Sequence, residues 1–312
     1  VEQPSSKTKY KVVLNKVVSA LLKVWGCGFA MRGFLKTTII RYFEVICKEE
    51  RMIDDYTEFI QKIKRKLDID LGLYKEQQMK RRITTLRNKL GYNSYLAYFE
   101  AMNKNDELLK EFIDRLTINV SEFYRNPKRW DVLKNIIIPA LTKNSNRISI
   151  WSAACSTGEE PYSLAILLKE HFPHLNVAIL ATDIDDNALL KAKKGVYMEQ
   201  SLKELPAGLK QKYFTKTNGM YRIDEKIKNT ITFKKHNLLG DRYPNSYDLI
   251  ICRNVLIYFT DEAKEQIYHG FSHTLRDEGV LFVGSTEQIF SPEKYQLQLL
   301  DTFFYQKSEK NK

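Results

Sequence analysis

The chain has 312 residues, enough for one large domain and a smaller one. Its four cysteines (Cys27, Cys47, Cys155, Cys252) show no paired or C-x-x-C spacing, which argues against a disulfide framework or a zinc site and fits a reducing cytoplasm. A net charge of +12 favours an acidic partner, either RNA or a glutamate-rich protein.

Residues 1–51 carry ten basic and four acidic side chains, half of the surplus, so the rest of the chain is only mildly basic. Val17 to Met31 is apolar but broken by Lys23, Gly26 and Gly28, and is short for a bilayer span. It lacks the small-residue cleavage pattern of a signal peptide. A basic membrane-surface helix is one functional reading of this segment. Residues 54–118 then read as helices. Phe59, Ile60, Ile63 and Leu67 recur at helical spacing, as do Ile83, Leu86 and Leu90, with Gly91 as the stop. Tyr95, Phe99 and Met102 mark a third helix, and Leu108, Leu109, Phe112, Ile113 and Leu116 a fourth. Asn126-Pro127 breaks the chain, and Trp130, Leu133, Ile137 and Ile138 carry one more helix.

From Arg147 onward apolar strands alternate with helices, which implies a parallel sheet. The expected strands are Ile148–Ser152, Val177–Thr182, Ile231–Lys235, Leu249–Cys252 and Val280–Val283, with a closing strand near Thr302–Gln306. Between them, Tyr213 to Ile223 reads as a hairpin with an Asn218-Gly219 turn. His269 and His273 sit four apart on a helical pattern, but without a third ligand nearby we expect no metal there.

The chemistry concentrates in Trp151-Ser152-Ala153-Ala154-Cys155-Ser156-Thr157-Gly158-Glu159-Glu160-Pro161-Tyr162-Ser163, a strand, a small-residue loop and a helix start. Small residues let backbone approach a ligand closely. The run is neither a G-x-G-x-x-G fingerprint nor a P-loop. Two carboxylates would repel a pyrophosphate; they suit a ligand with a cationic amine and a sulfonium, such as S-adenosylmethionine. Asp183 ends the next strand, where an acid commonly holds ribose hydroxyls. Asp185 or Asp186 is the expected cap of the following helix.

Four blocks in order resemble the CheR family of chemotaxis receptor glutamate O-methyltransferases. They are Leu116-Thr117-Ile118-Asn119-Val120-Ser121-Glu122-Phe123-Tyr124-Arg125, then Ser152 to Ser163, Ala181-Thr182-Asp183-Ile184-Asp185, and Cys252-Arg253-Asn254-Val255-Leu256-Ile257-Tyr258-Phe259. The wording is closest to members from Bacillus-like bacteria and spans roughly Asp54 to Lys307. The resemblance implies an α/β fold: a class I methyltransferase, Rossmann-like sheet with a small antiparallel β subdomain, preceded by an all-α bundle. It implies domains at 52–126 and 127–312, with the β insertion at about 213–231. That insertion is short, which suggests an enzyme independent of a receptor tether peptide. Met52 looks like a natural start for this family, so we expect residues 1–51 to be a mis-called gene start or a disposable extension. A native N-terminus sequenced near Val1 would sink that expectation.

The implied reaction moves a methyl group from S-adenosylmethionine to a glutamate carboxylate, giving a γ-glutamyl methyl ester and S-adenosylhomocysteine. A carboxylate is already ionised at neutral pH and needs no strong base. Positioning and exclusion of water are what remain. Arg125 is the candidate for orienting the glutamate through two parallel donors, and Tyr258 for a hydrogen bond to it. The family pattern falls for the cofactor on Asn119, Ser121, Arg125, Glu160, Asp183, Asn237, Leu238, Cys252 and Arg253. Glu159 competes with Glu160 for the donor's amino group, and the Asn237 amide is a candidate for the adenine edge or simply a turn residue. Lys80, Arg81, Arg82, Arg87 and Lys89 cluster on one helix; Arg81, Arg82 and Arg87 are the expected contacts to the glutamate-rich helical bundle of the receptor's cytoplasmic part. The family also suggests a monomer that meets the membrane only through its receptor.

Two rival readings fit the sequence less well. A nucleic-acid methyltransferase of the adenine type would carry Asn/Asp-Pro-Pro-Tyr/Phe where this chain has Cys252-Arg253-Asn254-Val255, and aromatics do not interleave with basics on a strand, so no nucleic acid is expected. A non-catalytic S-adenosylmethionine sensor is opposed by the presence of both Arg125 and Tyr258.

Overall fold

The structure is a computed structural model that describes residues 55–308 apart from 118 and 245. The expectations for residues 1–51 lie outside the described residues. The chain divides into two compact units, Val1–Phe59 and Ile60–Lys312. Of the first, residues 55–59 are described, and they are helical.

The second unit opens with helical residues 60–67 (α1), followed by α2 (Glu76–Lys89), α3 (Tyr95–Lys104) and α4 (Asp106–Leu116). Helix α2 buries Met79, Ile83 and Leu86 at helical spacing. It stops at Gly91, whose φ of 81° an L side chain rarely adopts. Gly91 N–H donates to Asn88 and Tyr92 N–H to Arg87, so two otherwise unpaired carbonyls are satisfied. Ser94 Oγ caps α3 by accepting from Ala97 N at 3.0 Å, and Asn105 Oδ1 caps α4. Tyr95, Tyr98, Phe99, Met102, Phe112 and Leu116 are buried in this bundle.

A helix, α5, then runs from Pro127 to Leu141 with a π-helical stretch at Leu133–Ile137. Its buried residues Trp130, Leu133, Ile137 and Ile138 are those the pattern picked out. The alternating part contains β1 (Arg147–Ala153), α6 (Glu159–His171), β2 (Asn176–Asp183), α7 (Asp186–Lys194), β3 (Val196–Tyr197), α8 (Ala207–Tyr213), β4 (Phe214–Thr217) and β5 (Met220–Ile223). It continues with α9 (Glu225–Lys228), β6 (Ile231–Lys235), β7 (Tyr247–Cys252), α10 (Asp261–Thr274), β8 (Leu275–Val283), β9 (Leu297–Asp301) and β10 (Phe304–Lys307).

Seven strands form one sheet in the order β6-β2-β1-β7-β8-β10-β9. The first five pair parallel, and β10 enters antiparallel beside β8. Alternate residues fill two cores. Ile150, Leu249 and Ile251 pack on one face, and Trp151, Ile250 and Cys252 on the other. The order reverses at β1, so the loops after β1, β2, β6 and β7 converge at one edge, where α/β proteins hold ligands.

The closing strand expected near Thr302–Gln306 is present as β10, and β9, which the pattern does not mark, pairs with it antiparallel. The small sheet, β3-β5-β4, begins at Val196, well before the expected 213. Its turn is as read: Asn218 and Gly219 both have positive φ, as a type I′ hairpin requires. Among the described residues, no helix is long and apolar enough to cross a membrane.

Candidate active site

The loop after β1 is held open by backbone that L residues seldom adopt. Ala154 and Ser156 have φ of 58° and 50°. Neighbours over-determine this shape: Cys155 N–H donates to Thr182 O at 2.8 Å, and Ser156 N–H to Asp183 Oδ2 at 2.8 Å. Gly158 begins α6 at φ 96°, and a Cβ there would lie 2.9 Å from Ala192 Cβ. Only glycine fits this close approach.

A cleft of about 1160 Å³, counted out to its mouth, lies over the strand ends. Asn119, Ser121, Arg125, Glu160, Asp183, Asn237, Leu238, Arg253 and Tyr258 line it, together with Arg82 from α2. Cys252 does not line it. Its side chain is fully buried in the core beneath, and burial pushes its thiol well up. Cys155 does reach the cleft, but its thiol is also pushed well up by burial, so neither is an activated nucleophile.

Asp183 accepts from Ser156 N–H on one oxygen and from Asp185 N–H on the other, at 2.8 and 2.9 Å. Each oxygen keeps a lone pair for a further donor. Burial pushes its carboxyl up to about 6 despite these bonds. Asp185 is the helix cap, accepting from Asn187 and Ala188 N–H. Its other oxygen receives Thr117 Oγ1 and Asn119 Nδ2, both at 2.8 Å. The Asn119 carbonyl in turn accepts from Ser156 Oγ at 2.9 Å. The Asn119 amide therefore ties the interdomain linker to the loops after β1 and β2.

Glu160 lines the cleft, whereas Glu159 is buried and takes a 2.7 Å hydrogen bond from Thr157. Glu160 accepts from Ser152 Oγ at 2.9 Å and faces Arg253 Nη1 at 3.5 Å. Burial pushes its carboxyl up, against the pull of Arg253 and Ser152. Arg253 is itself buried, stacked over Phe282 and donating Nη2 to the Arg125 carbonyl at 2.9 Å. The Arg125 guanidinium has no hydrogen bond or ion pair among the described residues, and neither does the Tyr258 hydroxyl. A ligand anion would find both of them free.

Asn237 is committed elsewhere. Its Nδ2 donates to Asp68 O at 2.9 Å and its Oδ1 accepts from Leu239 N at 3.0 Å, so the side chain builds a turn. Of the three basic residues expected at a partner, Arg81 and Arg82 line a groove that reaches Tyr258. Arg87 is 5% exposed and lies over the Tyr95 ring at 4.4 Å, which removes it from that surface. A helical run of cations reads as a solvated face; Arg81 and Lys89 are exposed, but Arg87 turns inward. Arg115, which the linear reading missed, joins the groove from α4. His236 was missed too; it lines the cleft nearly buried, and burial pulls its pKa down, so it is neutral near pH 7. No local pattern marks either residue.

The arrangement fits S-adenosylmethionine. Asp183 and Glu160 bring two carboxylates to the cleft beside the small-residue loop after β1. Comparison with known proteins agrees. Residues 119–304 match the family described as CheR methyltransferase, SAM binding domain, and residues 54–117 the CheR methyltransferase, all-alpha domain. The chain is 44% identical to a chemotaxis protein methyltransferase of Listeria monocytogenes over 255 residues, covering 81% of this chain and 97% of that one. A Listeria innocua protein of the same name is 45% identical at the same coverage. One from Borreliella burgdorferi is 34% identical, covering 76% and 88%. The chain therefore belongs to the CheR methyltransferase family, with S-adenosylmethionine as its cofactor.

Proposed function

We propose that this protein methylates glutamate side chains of chemoreceptors, forming glutamyl methyl esters in chemotactic adaptation. One observation carries the reading: an unpaired guanidinium, Arg125, and a free phenol, Tyr258, line the same cleft as Asp183 and Glu160. S-adenosylmethionine supplies an electrophilic methyl group on a sulfonium. Asp183 holds the ribose hydroxyls, and Glu160 the amino group. Leu238 supplies apolar cover, and Ser121 a hydroxyl donor. Arg125 holds one oxygen of the incoming carboxylate and leaves the other free to attack. Tyr258 donates to the same carboxylate and helps fix its rotation.

The glutamate arrives along the groove of Arg81, Arg82, Lys89 and Arg115, which leads to Tyr258. Cations there suit a receptor helix with a glutamate-rich face and set its register. The relatives' names, chemotaxis protein methyltransferase, support this choice of partner. The test is transfer of radiolabelled methyl to chemoreceptor-containing membranes, with total RNA as the parallel acceptor. Label released as volatile methanol in mild alkali supports a carboxyl ester. Alkali-stable label on RNA, or none on the receptor with cofactor bound, defeats the proposal.

A further inference from the structure

Glu287 is a buried acid that the chemistry above does not use. It is 4% exposed and follows β8. Its carboxylate accepts four backbone N–H groups. Oε2 takes Asn254 and Gly284, each at 2.7 Å; Oε1 takes Leu256 at 2.7 Å and Ile257 at 3.4 Å. Three of these donors belong to the loop after β7. That loop needs them held. Asn254 has a φ of 61°, and the short 3-10 turn Leu256–Tyr258 leaves its first N–H groups without partners inside the turn. Gly284 leaves room for the clamp: a Cβ there would lie 2.5 Å from Glu287 Oε2 and 2.7 Å from Asn254 N.

The clamped loop joins the two working ends of the site. Arg253 starts it, paired with Glu160, and Tyr258 ends it with a free hydroxyl. From the other side the helical part grips the same turn, since Lys75 N–H donates to the Tyr258 carbonyl at 2.9 Å. We infer that Glu287 is a positioning residue for Tyr258, fixing where its hydroxyl meets the acceptor carboxylate. This rests on the role proposed for Tyr258.

Glutamine is not a neutral replacement. Its NH2 would face two backbone donors where the carboxylate offers an oxygen. Glu287→Gln should lower kcat for receptor methylation about tenfold to a hundredfold. Dissociation constants for S-adenosylhomocysteine and KM for the receptor should move less than about threefold. Glu287→Asp, which keeps the charge, should recover part of the loss. In a Tyr258→Phe background Glu287→Gln should cost less than about threefold, because it acts through the hydroxyl already removed. Full additivity on top of a costly Tyr258→Phe overturns the inference alone. A Tyr258→Phe variant with undiminished kcat overturns the reading beneath it as well. Should Glu287→Gln fail to fold, the wild-type protein still decides. The amides of Asn254, Leu256 and Ile257 should exchange with deuterium at least about a hundredfold more slowly than in an unfolded chain. Unprotected amides there would refute the clamp.

Discussion

Acidification from about pH 8 to about pH 5 probes Asp183 directly. Its carboxyl is 6% exposed and stands at about 6 rather than 3.8 because burial disfavours the charge. On the proposed reading ribose hydroxyls donate to the ionised form, so cofactor and proton would compete for the same oxygens. Below about pH 6 the dissociation constant of S-adenosylhomocysteine should rise about tenfold per pH unit, which is about 1.4 kcal/mol of binding lost at pH 5. The effect on stability has the opposite sign. The folded pKa is raised, so between about pH 4 and 6 the free folded protein holds a proton that the unfolded chain has released. Ionised Asp183 costs the free protein on the order of 3 kcal/mol at neutral pH, and that cost is relieved as pH falls through about 6. The thermal shift produced by ligand should therefore shrink on acidification. Titration calorimetry over this range, with Asp183→Asn as the control, tests both. The control should bind about tenfold to a hundredfold more weakly at pH 7 and lose the slope. Glu160 is pushed up by burial in the same cleft, so a slope fully retained in Asp183→Asn would move the effect to Glu160. A wild-type constant that is flat with pH would refute the ribose assignment.

Arg125→Lys keeps the charge but loses the rigid planar guanidinium that fixes where the held oxygen sits, so kcat should fall about a hundredfold with S-adenosylhomocysteine affinity within about threefold; an equal loss in both would confine Arg125 to the cofactor. Arg81→Glu, on the exposed groove, should raise KM for the receptor about tenfold, and the effect should shrink as salt is added; a salt-independent change would argue against steering. Arg87→Glu should behave differently from its neighbour. It places an acid in the bundle against Tyr95 and should cost on the order of 3 kcal/mol in a thermal melt, so an unchanged melt with a raised KM would return Arg87 to the docking surface.

The parallel core of the fold is legible because fully covered strands are continuous apolar runs. Ile150 to Ala153 and Leu249 to Cys252 bury both faces, so no solvent-side alternation blurs them. Strand β9 escapes the same reading because it lies at the sheet edge and three of its five residues are exposed. Strand β3 is two residues long and gains its meaning only from pairing with Arg222 and Tyr221. Site residues divide in the same manner. Asp183, at a strand end, and Glu160, at the start of the helix after β1, do line the cleft. Cys252 and Asn237 hold motif positions, yet one side chain is packed into the core and the other is spent on Asp68 and Leu239. Arg87 illustrates the limit of a charge pattern, since an aromatic ring three-dimensionally adjacent can take a guanidinium that the helix alone would show to solvent.

On the proposed function, the charges of the cleft would let one site serve a cationic donor and an anionic acceptor without a general base. Arg253 is buried beside Glu160, and burial lowers the affinity of its guanidinium for a proton, an effect that Glu160 opposes without cancelling. That pair leaves this part of the cleft close to neutral. Arg125 has no ion-pair partner among the described residues, and it sits near enough to Arg253 to disfavour the charge of Arg253. Such a cation is under-compensated until an acid enters, so it selects for a carboxylate and against a neutral amide or a base. Tyr258 adds a donor that carries no charge. It can fix the carboxylate's rotation without the full attraction of a second arginine, which would hold the attacking oxygen too tightly. Its placement then becomes the sensitive quantity, and the groups that set it are backbone contacts from Lys75 on one side and the four-donor grip of Glu287 on the other.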